Sequence, residues 1–330
     1  MNKIYWEYAG TRYKTKLKAI EASGGDIMSI TFSAFDKAFY SYTWDIEPTE
    51  SYEDLLRDRA LQLRDTYKYI KLFFSGGHDS TLMLNTFLKH NIHIDEIIIY
   101  RYALNDNFTN NSNYEVDQFA IPFLKNIQQS MPKTKVTVWD FGRDYFDKHL
   151  GDKWLFTKSN FDMRHWTLPN IKGKNFCYLV GQLDPHVRYD NGLWYSDVYD
   201  SNGMSETASF RNIEFFFTSP SFPALHAKQL HLVKNYLKNN SLLSVNINTL
   251  QYKNIIRKAV RAGSVIPNLH INDKAKMISM LDNPKNKAIL SKSDEIQKET
   301  LYSLLNTKVN NKSLINLLRG YIANTMCLGT

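Results

Sequence analysis

Ile70-Lys71-Leu72-Phe73-Phe74, followed by Ser75-Gly76-Gly77-His78-Asp79-Ser80, is the stretch on which the fold turns. Four apolar side chains in five positions suit a strand buried on both faces. Ser75-Gly76-Gly77 breaks that run. Thr81-Leu82-Met83-Leu84-Asn85-Thr86-Phe87-Leu88 then restores apolar residues at helical spacing and predicts a helix over 81–90. The order is strand, glycine turn, helix. At such a junction the first helical N–H groups lack intrahelical acceptors, and the helix dipole favours an anion. Paired glycines let a phosphate approach the backbone where a Cβ would stand in the way. Ser75 and Ser80 can add hydroxyl donors. Asp79 cannot hold a phosphate alone; beside a polyphosphate it suits a magnesium ligand or a helix cap.

Further along, His93–Tyr100 predicts a second strand ending at Arg101, and Tyr114–Ser130 a helix with Pro122 near its first turn or at a kink. Lys135–Trp139 alternates as a third strand and Asn175–Val180 reads as a fourth. The β-α-β-α-β order with short connections predicts an α/β fold, a right-handed doubly wound parallel sheet. Ligands of such sheets lie beyond the carboxyl ends of the strands, so Ile99, Tyr100 and Arg101 are expected to face one.

The hexamer Ser75–Ser80 resembles the SGGxDS pyrophosphate loop of the N-type ATP pyrophosphatases, the PP-loop superfamily. That group contains the synthetase domain of asparagine synthetase, GMP synthetase, NAD synthetase and several tRNA-modifying enzymes. All six positions fit, with His78 at the variable one. The GxxxxGK[ST] loop is different, because here no lysine follows the glycines. The resemblance implies an adenine nucleotide alpha hydrolase-like (HUP-type) sheet. It also implies ATP and magnesium as cofactors, with Ser75, Gly76, Gly77, His78, Asp79 and Ser80 about the phosphates and Asp79 on the metal. In relatives the end of the next strand, here Tyr100 and Arg101, meets the adenine largely through backbone. Gly181 and Asp184 match part of the GxGxDE motif of asparagine synthetases, while Leu183 and Pro185 replace its second glycine and its glutamate. This match implies close approach at Gly181 and a magnesium or substrate-amine role for Asp184; the alternative is a Gly-x-x-Asp-Pro turn. Lys228 falls in a helix predicted over Ala224–Lys238, where asparagine synthetase carries a lysine near the ATP phosphates; the alternative is a solvated lysine. The pattern from Phe216 to Gln229 resembles viral asparagine-synthetase-like proteins.

Composition narrows the choice within that group. With 43% hydrophobic and 14% aromatic residues the chain has ample material for a folded core. Its 2 cysteines, Cys177 and Cys327, exclude a four-cysteine zinc site and a disulfide framework. With Asn2 at the second position, no N-terminal cysteine glutaminase is expected. The start of the chain lacks a cleavable apolar segment, and no apolar run is long enough to span a bilayer, so no membrane association and a cytoplasmic location are expected (host cytoplasm if viral). The net charge of +8 is carried by Ser241–Thr330, which has 13 Lys/Arg against 5 Asp/Glu. Such a segment suits an acidic partner, most simply nucleic acid, or is an ordinary solvated face.

Three regions are expected: 1–69, a small N-terminal α/β region; 70–240, the ATP-binding catalytic domain; and 241–330, a basic helical region. Within the first, Lys3–Tyr8, Asp26–Phe32 and Lys37–Tyr42 carry strand-forming residues and Lys14–Ala22 helical ones. A helix is predicted from Thr49 or Ser51 to about Tyr69. In the last, helices are predicted over Thr249–Ala262, Asp273–Leu281, Asp294–Leu305 and Ser313–Ala323. Arg164, Arg188, Lys172 and Lys174 are candidates to cover phosphates, with a solvated loop the alternative for Lys172 and Lys174, and Asp190–Gly203 reads as a loop-rich insertion. The histidines show no metal-ligand spacing. The expected chemistry is ATP cleavage to AMP and pyrophosphate, activating an acceptor for attack by an amine or ammonia. The acceptor is a small molecule or, as an alternative, nucleic acid or a nucleotide undergoing modification. A further alternative is an ATP-binding protein without turnover.

Overall fold

The computed structural model describes residues 5–13, 16–24, 26, 29–33, 39, 41–103, 116–142, 175–181, 185–199, 212–245, 250–261 and 322–330. Asp184, Arg164, Lys172, Lys174 and the helices predicted at 273–281 and 294–305 lie outside the described residues.

Five parallel strands form the centre, β4 (Tyr69–Phe73), β5 (Glu96–Ala103), β6 (Lys135–Gly142), β7 (Phe176–Val180) and β10 (Ile213–Phe215), in the order β10-β7-β4-β5-β6. Alternation decides the two faces. Ile70, Leu72, Phe74, Ile97, Ile99, Cys177 and Leu179 enter one apolar cluster, while Phe73, Ile98, Tyr100, Phe176, Tyr178 and Val180 enter the other. Helices cover both faces, so these strands read as continuous apolar runs rather than alternating ones. The sheet is that of a doubly wound α/β fold.

On the first face pack α2 (Tyr52–Thr66), α3 (His78–Lys89) and α4 (Ile121–Ile127). Ser51 caps α2, its hydroxyl accepting from the Asp54 backbone N–H at 3.1 Å, and Glu53 and Asp54 complement the helix dipole in the first turn. Leu55, Leu56, Ala60 and Leu63 bury the stripe that faces the sheet. A π-helical turn, Val116–Ala120, precedes α4, and Pro122 sits in the first turn of α4, where a missing N–H costs nothing. The other face carries α5 (Pro223–Asn239) and α6 (Leu250–Val260), through Ala227, Leu230, Val233 and Leu237 of the former and Tyr252, Ile255, Ile256 and Val260 of the latter.

The N-terminal region forms a three-stranded antiparallel sheet, β2 (Thr11–Tyr13), β1 (Tyr5–Tyr8) and β3 (Thr31–Ser33), beside helix α1 (Lys16–Ala22). Lys37–Tyr42 adds no strand among the described residues; Phe39 there is buried against Trp44, with ring centres 4.6 Å apart.

Two expectations are corrected. The loop-rich reading from Asp190 fails at once, because β8 (Val187–Asp190) and β9 (Leu193–Tyr199) make an antiparallel hairpin. Asn191 (φ 48°) and Gly192 (φ 85°) form its two-residue turn, the left-handed pair that matches strand twist. The end of the last helix expected in the C-terminal region, Ser313–Ala323, is also corrected. Ile322–Cys327, starting inside the expected last helix, is strand β11 and pairs antiparallel with β9. Lys234, buried on α5, donates to the backbone oxygens of Leu328 (2.7 Å) and Thr330 (3.2 Å) and so anchors the chain end. Among the described residues no helix is long and apolar enough to cross a membrane.

Candidate functional site

Strand order reverses beside β4: β5 and β6 lie on one side of it and β7 and β10 on the other. In open α/β sheets this switch point opens the crevice beyond the carboxyl ends. The Ser75–Ser80 loop leaves β4 there, and Gly181 leaves β7 next to it. Gly181, from the second motif, meets Asp79 of the first. A Cβ on Gly181 would stand 3.1 Å from the carbonyl carbon of Asp79 and 3.3 Å from its Cβ, so a side chain there would press on the start of α3.

The paired glycines serve different ends. Gly76 has φ +78°, and a Cβ there would meet the Ala120 Cβ at 3.0 Å. Its place is thus set by backbone conformation and by packing on the π-helical turn. Gly77 is extended (φ −76°, ψ 169°) and is the N-cap of α3, with no side chain to close the helix end. The helix starts at His78, three residues earlier than its apolar spacing predicts, so His78, Asp79 and Ser80 supply first-turn N–H groups without intrahelical acceptors.

Hydroxyls hold this loop in shape. Ser80 Oγ donates to the Gly77 carbonyl (3.1 Å), which spends its single proton. Ser75 Oγ is therefore the donor in the 3.2 Å contact with Ser80 Oγ, and it accepts from the Gly77 N–H at 3.3 Å. The Ser75 N–H also donates to Ser80 Oγ at 3.2 Å. Ser75 and Ser80 were expected as phosphate donors; their protons are instead used inside the loop. What remains for an anion is backbone N–H and helix dipole.

Asp79 has a partner that the sequence did not announce. Arg261, one residue beyond α6, donates its Nε–H to Asp79 Oδ1 at 2.5 Å. Its Nη1 donates to the Tyr52 hydroxyl at 3.1 Å, and its guanidinium lies 4.1 Å from the centre of the Phe217 ring. The Arg261 side chain is 1% exposed and that of Asp79 35%. Gln229 Nε2 donates to the same Tyr52 hydroxyl at 2.8 Å, joining α2, α5 and α6 at one point. Burial raises the pKa of Tyr52, which stays a neutral phenol. Nearby His226, in a hydrogen bond with Thr218 Oγ1 at 3.0 Å, is pushed down to about 3 by burial and is neutral.

Other nominated residues are committed elsewhere. Lys228 pairs with Glu47 at 2.8 Å and donates to the Pro48 carbonyl at 2.9 Å, clamping α5 to the segment before α2. Arg101 forms a forked pair with Asp117, at 2.9 and 3.3 Å, tying the end of β5 to the π-helical turn. Tyr100 is buried, stacked on Phe73 at 4.9 Å, so its ring belongs to the core and only its backbone is left for a ligand. Arg188 lies 4.9 Å over the Tyr195 ring and 3.5 Å from Asp190, within its own hairpin.

For a metal the site offers one described carboxylate, Asp79. Among the described residues no three His, Cys, Asp or Glu side chains stand together as a ligand set. A hard cation that keeps its waters and takes phosphate oxygens needs only one or two carboxylates, and a half-exposed Asp at a helix start meets that requirement.

No model of a known protein family matches the chain, and no curated protein matches it.

Proposed function

We propose that this chain is an ATP-dependent adenylating enzyme of the PP-loop type, built on a HUP-type sheet. One observation carries the proposal: the Ser75–Ser80 loop opens helix α3 at the switch point of the sheet, with Gly181 pressed against Asp79 from the neighbouring strand. Gly181, the described part of the second expected motif, thereby stands against the first turn of the helix that the loop opens. The strand order, with the loop on the central strand, supports the same assignment.

In this mechanism the β- and γ-phosphates of ATP lie on the open N-terminus of α3. An acceptor oxygen, from a carboxylate or carbonyl, attacks the α-phosphorus. The bond from that phosphorus to the β-bridging oxygen breaks, and pyrophosphate leaves with the electron pair. An amine or ammonia then displaces AMP from the activated acceptor. Asp79, with Asp184 a second candidate, would hold a magnesium ion, which when bound would neutralise charge on the polyphosphate. The preformed loop contributes positioning and aimed dipoles, which suffice for phosphoryl chemistry without a covalent enzyme intermediate.

The test uses ATP labelled at the α-phosphate, incubated with magnesium and pools of candidate acceptors. Labelled AMP with equimolar pyrophosphate is the expected result. ADP with inorganic phosphate overturns the assigned cleavage.

A further inference from the structure

We infer, on the footing of the proposed adenylating site, that Arg261 is the cation that takes hold of the departing pyrophosphate, exchanging Asp79 for it. The loop has a charge deficit. No lysine follows its glycines, both serine hydroxyls are used internally, and Asp79 brings a carboxylate. A polyphosphate entering beside Asp79 meets a like charge unless a cation stands between them.

Arg261 is placed for that role. Its guanidinium already touches the loop through Asp79, at 2.5 Å. Phe217 contacts the guanidinium at one face and Tyr52 at one edge. A planar fork of donors matches phosphate oxygens in pairs, and charge-assisted bonds strengthen in a water-poor setting. Among the described residues, the cations nominated from the sequence are engaged elsewhere: Lys228 with Glu47, Arg101 with Asp117 and Arg188 within its own hairpin. The exchange also balances: as the guanidinium moves to pyrophosphate, the Asp79 carboxylate becomes available to the cation that accompanies the nucleotide. Arg261 arrives from the basic C-terminal stretch, which links that stretch to the chemistry rather than to a distant surface.

The experiment is calorimetric titration of pyrophosphate, without magnesium and with chelator, into the full-length wild type, Asp79→Asn and Arg261→Met, each checked for fold by circular dichroism. Exchange predicts opposite signs. Arg261→Met weakens pyrophosphate binding by about tenfold or more, the worth of a charge-assisted hydrogen bond. Asp79→Asn releases Arg261 from its competing anion and tightens binding, by about threefold or more on the same scale. A guanidinium that merely braces α6 gives no gain in Asp79→Asn. Unchanged or weaker binding in Asp79→Asn overturns the exchange, even if Arg261→Met fails to fold. A folded Arg261→Met that binds like wild type overturns it as well. If wild type forms AMP and pyrophosphate while either result is found, the adenylating function stands and only the role of Arg261 falls. If wild type binds neither pyrophosphate nor ATP, with or without magnesium, both fall.

Discussion

Replacing Gly76 by alanine probes the geometry on which the loop depends. Two independent penalties meet at this residue. Its φ of +78° is left-handed, where a Cβ crowds the carbonyl oxygen at a cost of about 1–2 kcal/mol. The new Cβ also lies 3.0 Å from the Ala120 Cβ, against the roughly 3.5–4.0 Å of ordinary carbon contact. Overpacking of that size costs about 1–3 kcal/mol. Loss of freedom in the unfolded chain returns about 0.4–1 kcal/mol. The net destabilisation is therefore about 1–5 kcal/mol. Ala120→Gly separates the two penalties, since it removes the clashing atom and leaves φ untouched. By itself it costs about 1 kcal/mol as a buried helical alanine lost. In the double variant the packing penalty disappears, so the cycle shows a coupling of about 1–3 kcal/mol. Urea unfolding followed by circular dichroism measures all four proteins. A Gly76→Ala protein within about 0.5 kcal/mol of wild type refutes the strained placement. Strict additivity in the cycle refutes the contact with Ala120.

Two further outcomes concern the scaffold. Arg59 is 2% exposed and joins α2 to β10, donating to the Phe215 and Phe216 carbonyls at 2.9 and 3.2 Å and pairing with Glu214 at 3.1 Å. Arg59→Met strands Glu214, whose other oxygen accepts from Tyr67, and lowers stability by about 3–5 kcal/mol in urea unfolding; a loss under about 1 kcal/mol contradicts the buried-pair account. His226 bears on pH. Burial first, then the nearby His186 and Arg261, holds its pKa at about 3 in the folded protein against 6.5 ordinarily. The unfolded chain takes up the proton first. The stability due to neutral His226 is thus fully present above about pH 6.5 and is lost as pH falls towards 3, at up to about 1.4 kcal/mol per pH unit. His226→Gln flattens that slope, and an unchanged slope contradicts the assignment.

The strands of the central sheet were legible because burial on both faces leaves a local signature. Ile70–Phe74 and Phe176–Val180 are apolar almost throughout, and glycine punctuation marks their ends. The stripe on α5, with His226, Leu230, Val233 and Leu237 all buried, follows from helical period alone. The β8–β9 hairpin also had its signal, Asn191-Gly192 between strand-forming residues, and was missed because a polar stretch was read as loop.

The hexamer after β4, its glycines and its acid were determined by sequence, since a turn from strand to helix needs only neighbours along the chain. Tertiary structure alone decided who stands across from them. Gly181 meets Asp79 at a distance of about a hundred residues, and Arg261 reaches the same carboxylate from nearly two hundred away. Spacing in sequence carries no trace of such meetings. The same holds for the serines: their hydroxyls were legible as donors, but which acceptor takes each proton depends on how the loop closes. Likewise, charge summed along the C-terminal stretch pointed outward to a partner, whereas packing of α6 on the sheet turns one of those charges inward. Propensity and periodicity are short-range properties of a chain; the pairing of a buried charge is a property of the fold.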